Sequence, residues 1–139
     1  MVVADGQGVP LGVQLASASP HESTLIESTL EQVAVPRAGR GRPRKNPERL
    51  IYDRAADNDA LRARLKQRGI ELICPNRCNK RVKTQDGRPL RRYRRRWIVE
   101  RFFSWLQWQR RLLVRWEYYS VNFLGFIQLA CIFILLKRF

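Results

Sequence analysis

Acidic residues are scarce in this chain: 12 Asp and Glu stand against 27 Lys and Arg, a formal charge of +15 at pH 7 and a pI near 11.1. So large an excess of one sign repels itself unless a polyanion neutralises it, and nucleic acid is the leading partner class because its phosphates release condensed counterions on binding. Charge alone leaves a ribosomal-type RNA binder and a membrane-surface protein open. Histidine is nearly absent, with only His21, and the three cysteines, Cys74, Cys78 and Cys131, are an odd number. With no secretory signal ahead of them, they read as reduced thiols of a cytosolic compartment rather than disulfides. Cys74 and Cys78 lack a second ligand pair, which argues against a zinc site. No long hydrophobic run exists either: the apolar stretch from Phe123 to Leu136 falls short of the roughly 20 residues a bilayer-spanning helix needs. It reads as a buried terminal helix.

What is present suffices for one modest domain, since 45% of the 139 residues are hydrophobic. Residues 2–15 alternate around a Gly-rich turn and predict a β-hairpin. Residues 20–33 predict a helix with Ser19 as N-cap, Glu22 at the capping-box spacing, and a buried stripe of Leu25, Ile26, Leu30 and Val33. Residues 36–47 hold three prolines, two glycines and five basic side chains without an apolar period, which makes them a loop. Its Arg40-Gly41-Arg42-Pro43 core, followed by Arg44, resembles an extended minor-groove hook; the plainer reading is a solvated basic loop. Residues 48–53 predict a strand ending on Asp53. A helix from the Asp57-Asn58-Asp59 caps to Gly69 follows, then a strand at 70–74 stopped by Pro75. This strand, helix, strand order predicts an α/β fold with a parallel pair.

Residues 76–92 are turn-rich, and two C-terminal helices are expected, at 91–113 and 121–137. On the first, Ile98, Phe102, Trp105, Leu106 and Leu113 share the core face. Opposite them lie Tyr93, Arg96, Glu100, Ser104, Gln107 and Arg111. Glu100 among arginines could be a plain intrahelical ion pair. The strand-end position of Asp53 suggests more, because open α/β sheets present functional side chains at the carboxyl ends of their strands. Two hard oxygen ligands could hold Mg²⁺ or Mn²⁺.

Two stretches carry a resemblance. Leu50-Ile51-Tyr52-Asp53-Arg54-Ala55-Ala56-Asp57, with Leu61 and Arg68-Gly69-Ile70 behind it, resembles the second-aspartate region of DDE transposases of bacterial insertion sequences. Tyr93-Arg94-Arg95-Arg96-Trp97-Ile98-Val99-Glu100-Arg101-Phe102-Phe103-Ser104-Trp105-Leu106, with Arg110, Arg111 and Arg115 beyond, resembles that family's glutamate signature. The resemblance covers nearly the whole chain. It implies a ribonuclease-H-like mixed sheet with flanking helices and two C-terminal helices, one partial domain over residues 1–139. It also implies three carboxylates holding two divalent metal ions, Mg²⁺ or Mn²⁺. These activate a water or a DNA 3′-hydroxyl and stabilise the leaving oxygen in DNA cleavage and strand transfer. By resemblance, Asp53 and Glu100 are the second and third catalytic, metal-ligating carboxylates, and Arg96 and Arg101 contact DNA phosphate, with Arg40, Arg42, Arg44 and Arg111 as further DNA-binding candidates. DNA ends and target DNA are the implied partners, with a homo-oligomer on DNA and a cytoplasmic, nucleoid-associated place in a bacterium.

Two departures qualify it. Ala56 stands where the family has Tyr, and the family's first aspartate belongs to a strand upstream of the hairpin, so this sheet is expected to lack its first strand and the chain to be catalytically incomplete. Asp5 reads as a turn residue. A non-catalytic basic nucleic-acid-binding protein is the alternative.

Overall fold

The structure is a computed structural model and describes residues 1–137. Strands β1 (Val2–Ala4) and β2 (Pro10–Val13) form the expected antiparallel hairpin, with Val2 opposite Val13 and Val3 opposite Gly12. Asp5 closes its turn: one carboxylate oxygen accepts from the amides of Gln7 (2.8 Å) and Val9 (2.9 Å), and Gly8 supplies the positive φ of 84°. Successive strand side chains leave opposite faces. Val3 accordingly packs against one hydrophobic cluster, while Val2 and Val13 pack against another.

The first cluster joins Ile26 and Leu30 to Ala56, Leu61, Leu65, Ile70, Leu72 and Cys74. Helix α1 (Leu25–Glu31) lies on the hairpin at Gly12, where a Cβ would come within 3.1 Å of the Thr29 carbonyl oxygen. This helix starts later than expected. Glu22–Thr24 is a 3₁₀ turn capped by His21, whose ring nitrogen accepts from the Ser23 amide, so Ser19 is not the N-cap. Glu22 makes no capping box and instead accepts a hydrogen bond from the Tyr52 hydroxyl at 3.1 Å. Of the expected stripe, Ile26, Leu30 and Val33 are buried, and Leu25 is only half-buried.

Strands β3 (Arg49–Ile51) and β4 (Glu71–Ile73) are parallel, joined by a 3₁₀ turn and helix α2 (Asp59–Gln67). Asn58 caps α2 by accepting from the Leu61 amide, and Gly69 (φ 75°) ends it. The bonds Ile70 N–H to Leu65 C=O and Gly69 N–H to Lys66 C=O form a Schellman motif that buries Leu65 against Ile70. The α/β expectation is met. Among the described residues, however, the strands form two separate two-stranded sheets rather than one mixed sheet.

The second cluster holds Phe102, Leu106, Ala130, Cys131 and Ile134. The long helix expected at 91–113 is broken into three parts. After a short turn α3 (Gly87–Leu90), residues Arg91–Arg96 form 3₁₀ turns, α4 covers Trp97–Gln107, and α5 covers Arg110–Leu113. Short helices are marginal on their own and gain most of their stability in a protein from packing. The stripe that packs is Ile98, Phe102 and Leu106, and the longest regular α-helical stretch of the segment runs along it. Leu113, placed on that face by the helical wheel, is 60% exposed. Helix α6 (Ser120–Leu136) likewise corrects the expectation of a wholly buried helix. It buries Ala130, Cys131 and Ile134, while Leu129, Ile132 and Leu136 are exposed because the second cluster lines only one side of it. No helix among the described residues is long and apolar enough to cross a membrane.

Phe102→Ala, at a fully buried site, is expected to cost about 3–5 kcal/mol. Leu136→Ala, on the exposed side of α6, is expected to cost less than about 0.5 kcal/mol. Urea unfolding followed by circular dichroism separates the two; equal losses would mean that α6 is covered on all sides.

Candidate metal and DNA site

The ladder of β3 against β4 continues one residue past the strand, where the Tyr52 amide donates to the Ile73 carbonyl at 3.0 Å. Asp53 therefore leaves the sheet at the carboxyl end of β3. Its Oδ1 accepts from the Ala55 amide at 2.8 Å and caps the turn Arg54–Ala56, which fixes the side chain and leaves Oδ2 for other partners. The 3₁₀ segment 91–96 packs against β3 and delivers Arg96 to that spot. One guanidinium nitrogen of Arg96, Nη2, lies 4.0 Å from Asp53 Oδ2 and 3.7 Å from Glu100 Oε1. Nη1 of the same group donates to the Tyr93 hydroxyl at 3.0 Å. The Tyr93 hydroxyl, with Asp53 and Glu100 behind it, holds the Arg96 pKa above its usual value.

Asp53 and Glu100, 47 residues apart in sequence, are thus brought to either side of one cation. Their side chains are 34% and 64% exposed and that of Arg96 is 41% exposed. Ion pairs this wet and this long contribute at most about 1 kcal/mol, so a phosphate or a divalent ion can replace them without breaking the fold. Next to Asp53, Tyr52 is pushed well above its ordinary pKa by burial and then by the Glu22 carboxylate that accepts its hydroxyl proton.

The remaining arginines do not converge on this point. Arg40, Arg42 and Arg44 are exposed in the 36–47 loop, whose ends are tied by paired backbone bonds between Val35 and Arg44. Arg101 is half-buried between two indoles, 4.5 Å from the Trp97 ring centre and 5.0 Å from that of Trp105. Arg111 stacks over Phe126 at 5.5 Å and pairs with Glu117 at 3.5 Å. Ala56 is fully buried in the first cluster, packed beneath the turn that Asp53 caps.

A second polar network had no counterpart in the sequence reading, which offered Asp57 only as a helix cap. The Asp57 side chain is fully buried. One oxygen pairs with Lys80 (3.2 Å) and Arg62 (3.3 Å), and the other accepts from the Arg77 amide (2.8 Å). Arg62 continues to the carbonyls of Leu72 and Cys74 and to Gln85, and Lys80 to Asp59 at 2.6 Å. These bonds pin the basic segment 77–85 onto the end of β4 and the start of α2. Among the described residues no three His, Cys, Asp or Glu side chains are grouped as a metal site, and the three cysteines are free.

The family described as Transposase DDE domain matches residues 1–135. The chain belongs to that family. It is also 32% identical over 130 residues to a Burkholderia cepacia protein assigned as transposase for insertion sequence element IS402. The match takes in 94% of this chain and 58% of that relative, so the chain spans less than two thirds of the relative's length. No solved structure matches it.

Burial alone would push the Asp57 carboxyl up; the Arg77 amide and the Lys80 and Arg62 side chains outweigh it and hold the carboxyl below its ordinary value of 3.8. A depressed folded pKa contributes stability that is full above the unfolded value and is lost as pH falls through the folded one. Asp57→Asn is expected to cost about 2–3 kcal/mol at neutral pH, because it leaves the half-buried cations Arg62 and Lys80 short of a partner. It should also flatten the fall in stability between pH 5 and pH 2 expected of the parent chain, as read by urea titrations; an unchanged pH profile would count against the network.

Proposed function

We propose that this chain acts in DNA cleavage and strand transfer as part of an insertion-sequence transposase, with residues 1–139 forming part of a ribonuclease-H-like domain. The observation that supports it most is the meeting of Asp53 and Glu100 across Arg96. Two carboxylates from separate elements are the hard oxygen donors that Mg²⁺ or Mn²⁺ takes, and Asp53 keeps one oxygen outside its capping bond. They suit a divalent ion as a two-member set, and Asp53 and Glu100 are the residues that would hold it once Arg96 swings aside. Such an ion supplies Lewis-acid polarisation of a phosphoryl oxygen and a nucleophile at neutral pH.

The chain's own residues do the rest. The hydrogen bond that Asp53 accepts from the Ala55 amide keeps its carboxylate oriented, and the Ile98–Phe102–Leu106 stripe keeps Glu100 turned outward. Released from the carboxylates, Arg96 carries the two donor nitrogens that a backbone phosphate takes bidentately. Exposed Arg40, Arg42 and Arg44 extend the contact along the duplex, and a net charge of +15 supplies the nonspecific attraction. Half-buried Arg101 and tethered Arg111 have weaker claims to phosphate than these. Action on DNA ends as a homo-oligomer, in the bacterial cytoplasm and on the nucleoid, goes with this reading. A third oxygen ligand does not stand with Asp53 and Glu100 among the described residues. Turnover by this chain alone is therefore expected to be slight, and the tests rest on binding.

Mn²⁺ binding, followed by calorimetry and by the electron-spin signal of the free ion, is expected to be lost in Asp53→Ala and in Glu100→Ala while the circular dichroism is retained. Replacing Arg40, Arg42 and Arg44 together with Ala should lower the slope of log K against log salt for duplex DNA by about 0.9 per phosphate contact removed. Metal binding indifferent to both carboxylate substitutions, with the salt slope behaving as stated, would sink the catalytic reading and leave a non-catalytic DNA-binding protein.

A further inference from the structure

Between α4 and α6 the surface changes character. Trp108, Trp116, Tyr118 and Tyr119 are 81%, 77%, 88% and 67% exposed, an unusual display for the largest apolar side chains. Arginines interleave with them at positions 110, 111 and 115. The segment is held firmly all the same. The Arg115 guanidinium donates to the carbonyls of Glu117 and Tyr118, both at 2.9 Å, and so closes residues 115–118 into a fixed turn. Arg111 ties that turn to α6 through Glu117 and the Phe126 ring. Tyr118 and Tyr119 brace each other edge to face at 5.1 Å. Beside them a shallow, open hollow of about 440 Å³ is lined by Arg110, Arg111 and Trp116. Arg110 has no hydrogen-bond or ion-pair partner among the described residues.

We infer that this segment is a stacking platform for unpaired DNA bases, separate from the Asp53–Glu100 site, with Trp116 as its central ring and Arg110 as its phosphate contact. The inference rests on the proposal that the chain binds DNA and adds which form of DNA this face takes. Charge complementarity decides the occupant: an apolar protein partner would have to strip water from Arg110, which no carboxylate balances among the described residues, whereas a nucleic-acid strand brings phosphates to neutralise it. Exposed rings on a braced turn offer π-faces, and only a base outside a duplex has a free face to lay on them. The platform is therefore expected to take any base sequence and to prefer single strands.

The test uses the full chain, with fluorescence anisotropy of a labelled oligo-dT strand and of a duplex of matched length. Trp116→Ala is expected to weaken the single strand about tenfold, the effect of one lost base stack. Duplex affinity and the circular dichroism should stay unchanged, and Trp116→Phe should recover most of the loss. Arg110→Ala is expected to reduce the salt slope for the single strand only. Single-strand affinity indifferent to Trp116→Ala, with duplex binding intact, overturns the platform and leaves the DNA-binding proposal standing. A change in sedimentation on Trp116→Ala without a change in oligonucleotide affinity overturns it in favour of a second copy of this chain on the patch. Failure of the parent chain to bind either DNA overturns the DNA-binding proposal, and the platform with it.

Discussion

Everything in this structure hangs on a short hairpin whose two faces are both needed. Val3 belongs to the cluster built by α1, α2 and the parallel strands, and Val2 with Val13 belongs to the cluster built by α4 and α6. A strand of three residues can do this only because its side chains alternate. Neither cluster is large, and the hairpin is the element they share. The strand end that carries Asp53 is fixed by one cluster and the helix that carries Glu100 by the other. Their approach across Arg96 lies between the two clusters, where segment 91–96 packs against β3.

The positive charge sets the second constraint. Arg91, Arg92, Arg94, Arg95 and Arg96 follow one another with a single interruption, and no pattern of helix packing relieves so much like charge at close range. The structure spends its few carboxylates where they are worth most. Asp57 neutralises two cations in a buried place and joins segment 77–85 to the sheet, whereas Asp53 and Glu100 share one half-exposed arginine. Buried pairs are costly to open and exposed pairs are cheap. That difference divides the acidic groups into one that holds the fold and two that are free to change partners.

Local chemistry was legible in the sequence and long-range pairing was not. The hairpin, the Asn58 and Gly69 boundaries of α2, the parallel strands, Asp53 at a strand end and Glu100 opposite the core stripe all follow from spacing and from residue preferences that act within a few positions. The Asp57–Lys80 pair spans 23 residues, and Tyr52–Glu22 spans 30. No periodicity reports contacts at that range. Helical phase did fix the outward side of α4, but it could not say which neighbours would meet each face, so Arg101 between two indoles went unread and the helical wheel puts Leu113, exposed on α5, on the core face. The break at Gln109 carries no proline or glycine to announce it. Helix α6 looked buried because most of its faces are apolar, and a partner for only one face is a tertiary fact.

Arg96 is where the two constraints meet. A pair of carboxylates aimed at one point in water repel each other, and without a cation between them the helix bearing Glu100 would tend to turn its side chain away from Asp53. A guanidinium within about 4 Å of both offsets that repulsion. Its hold is weak, because all three groups are wet, and its third anchor is the Tyr93 hydroxyl. A lysine there would offer a point charge but not the planar fork that can keep Tyr93 on one nitrogen while facing the carboxylates with the other. On the proposed function, the residue that keeps two anionic groups together in the free chain is for the same reason suited to move to a phosphate when a stronger cation takes its place.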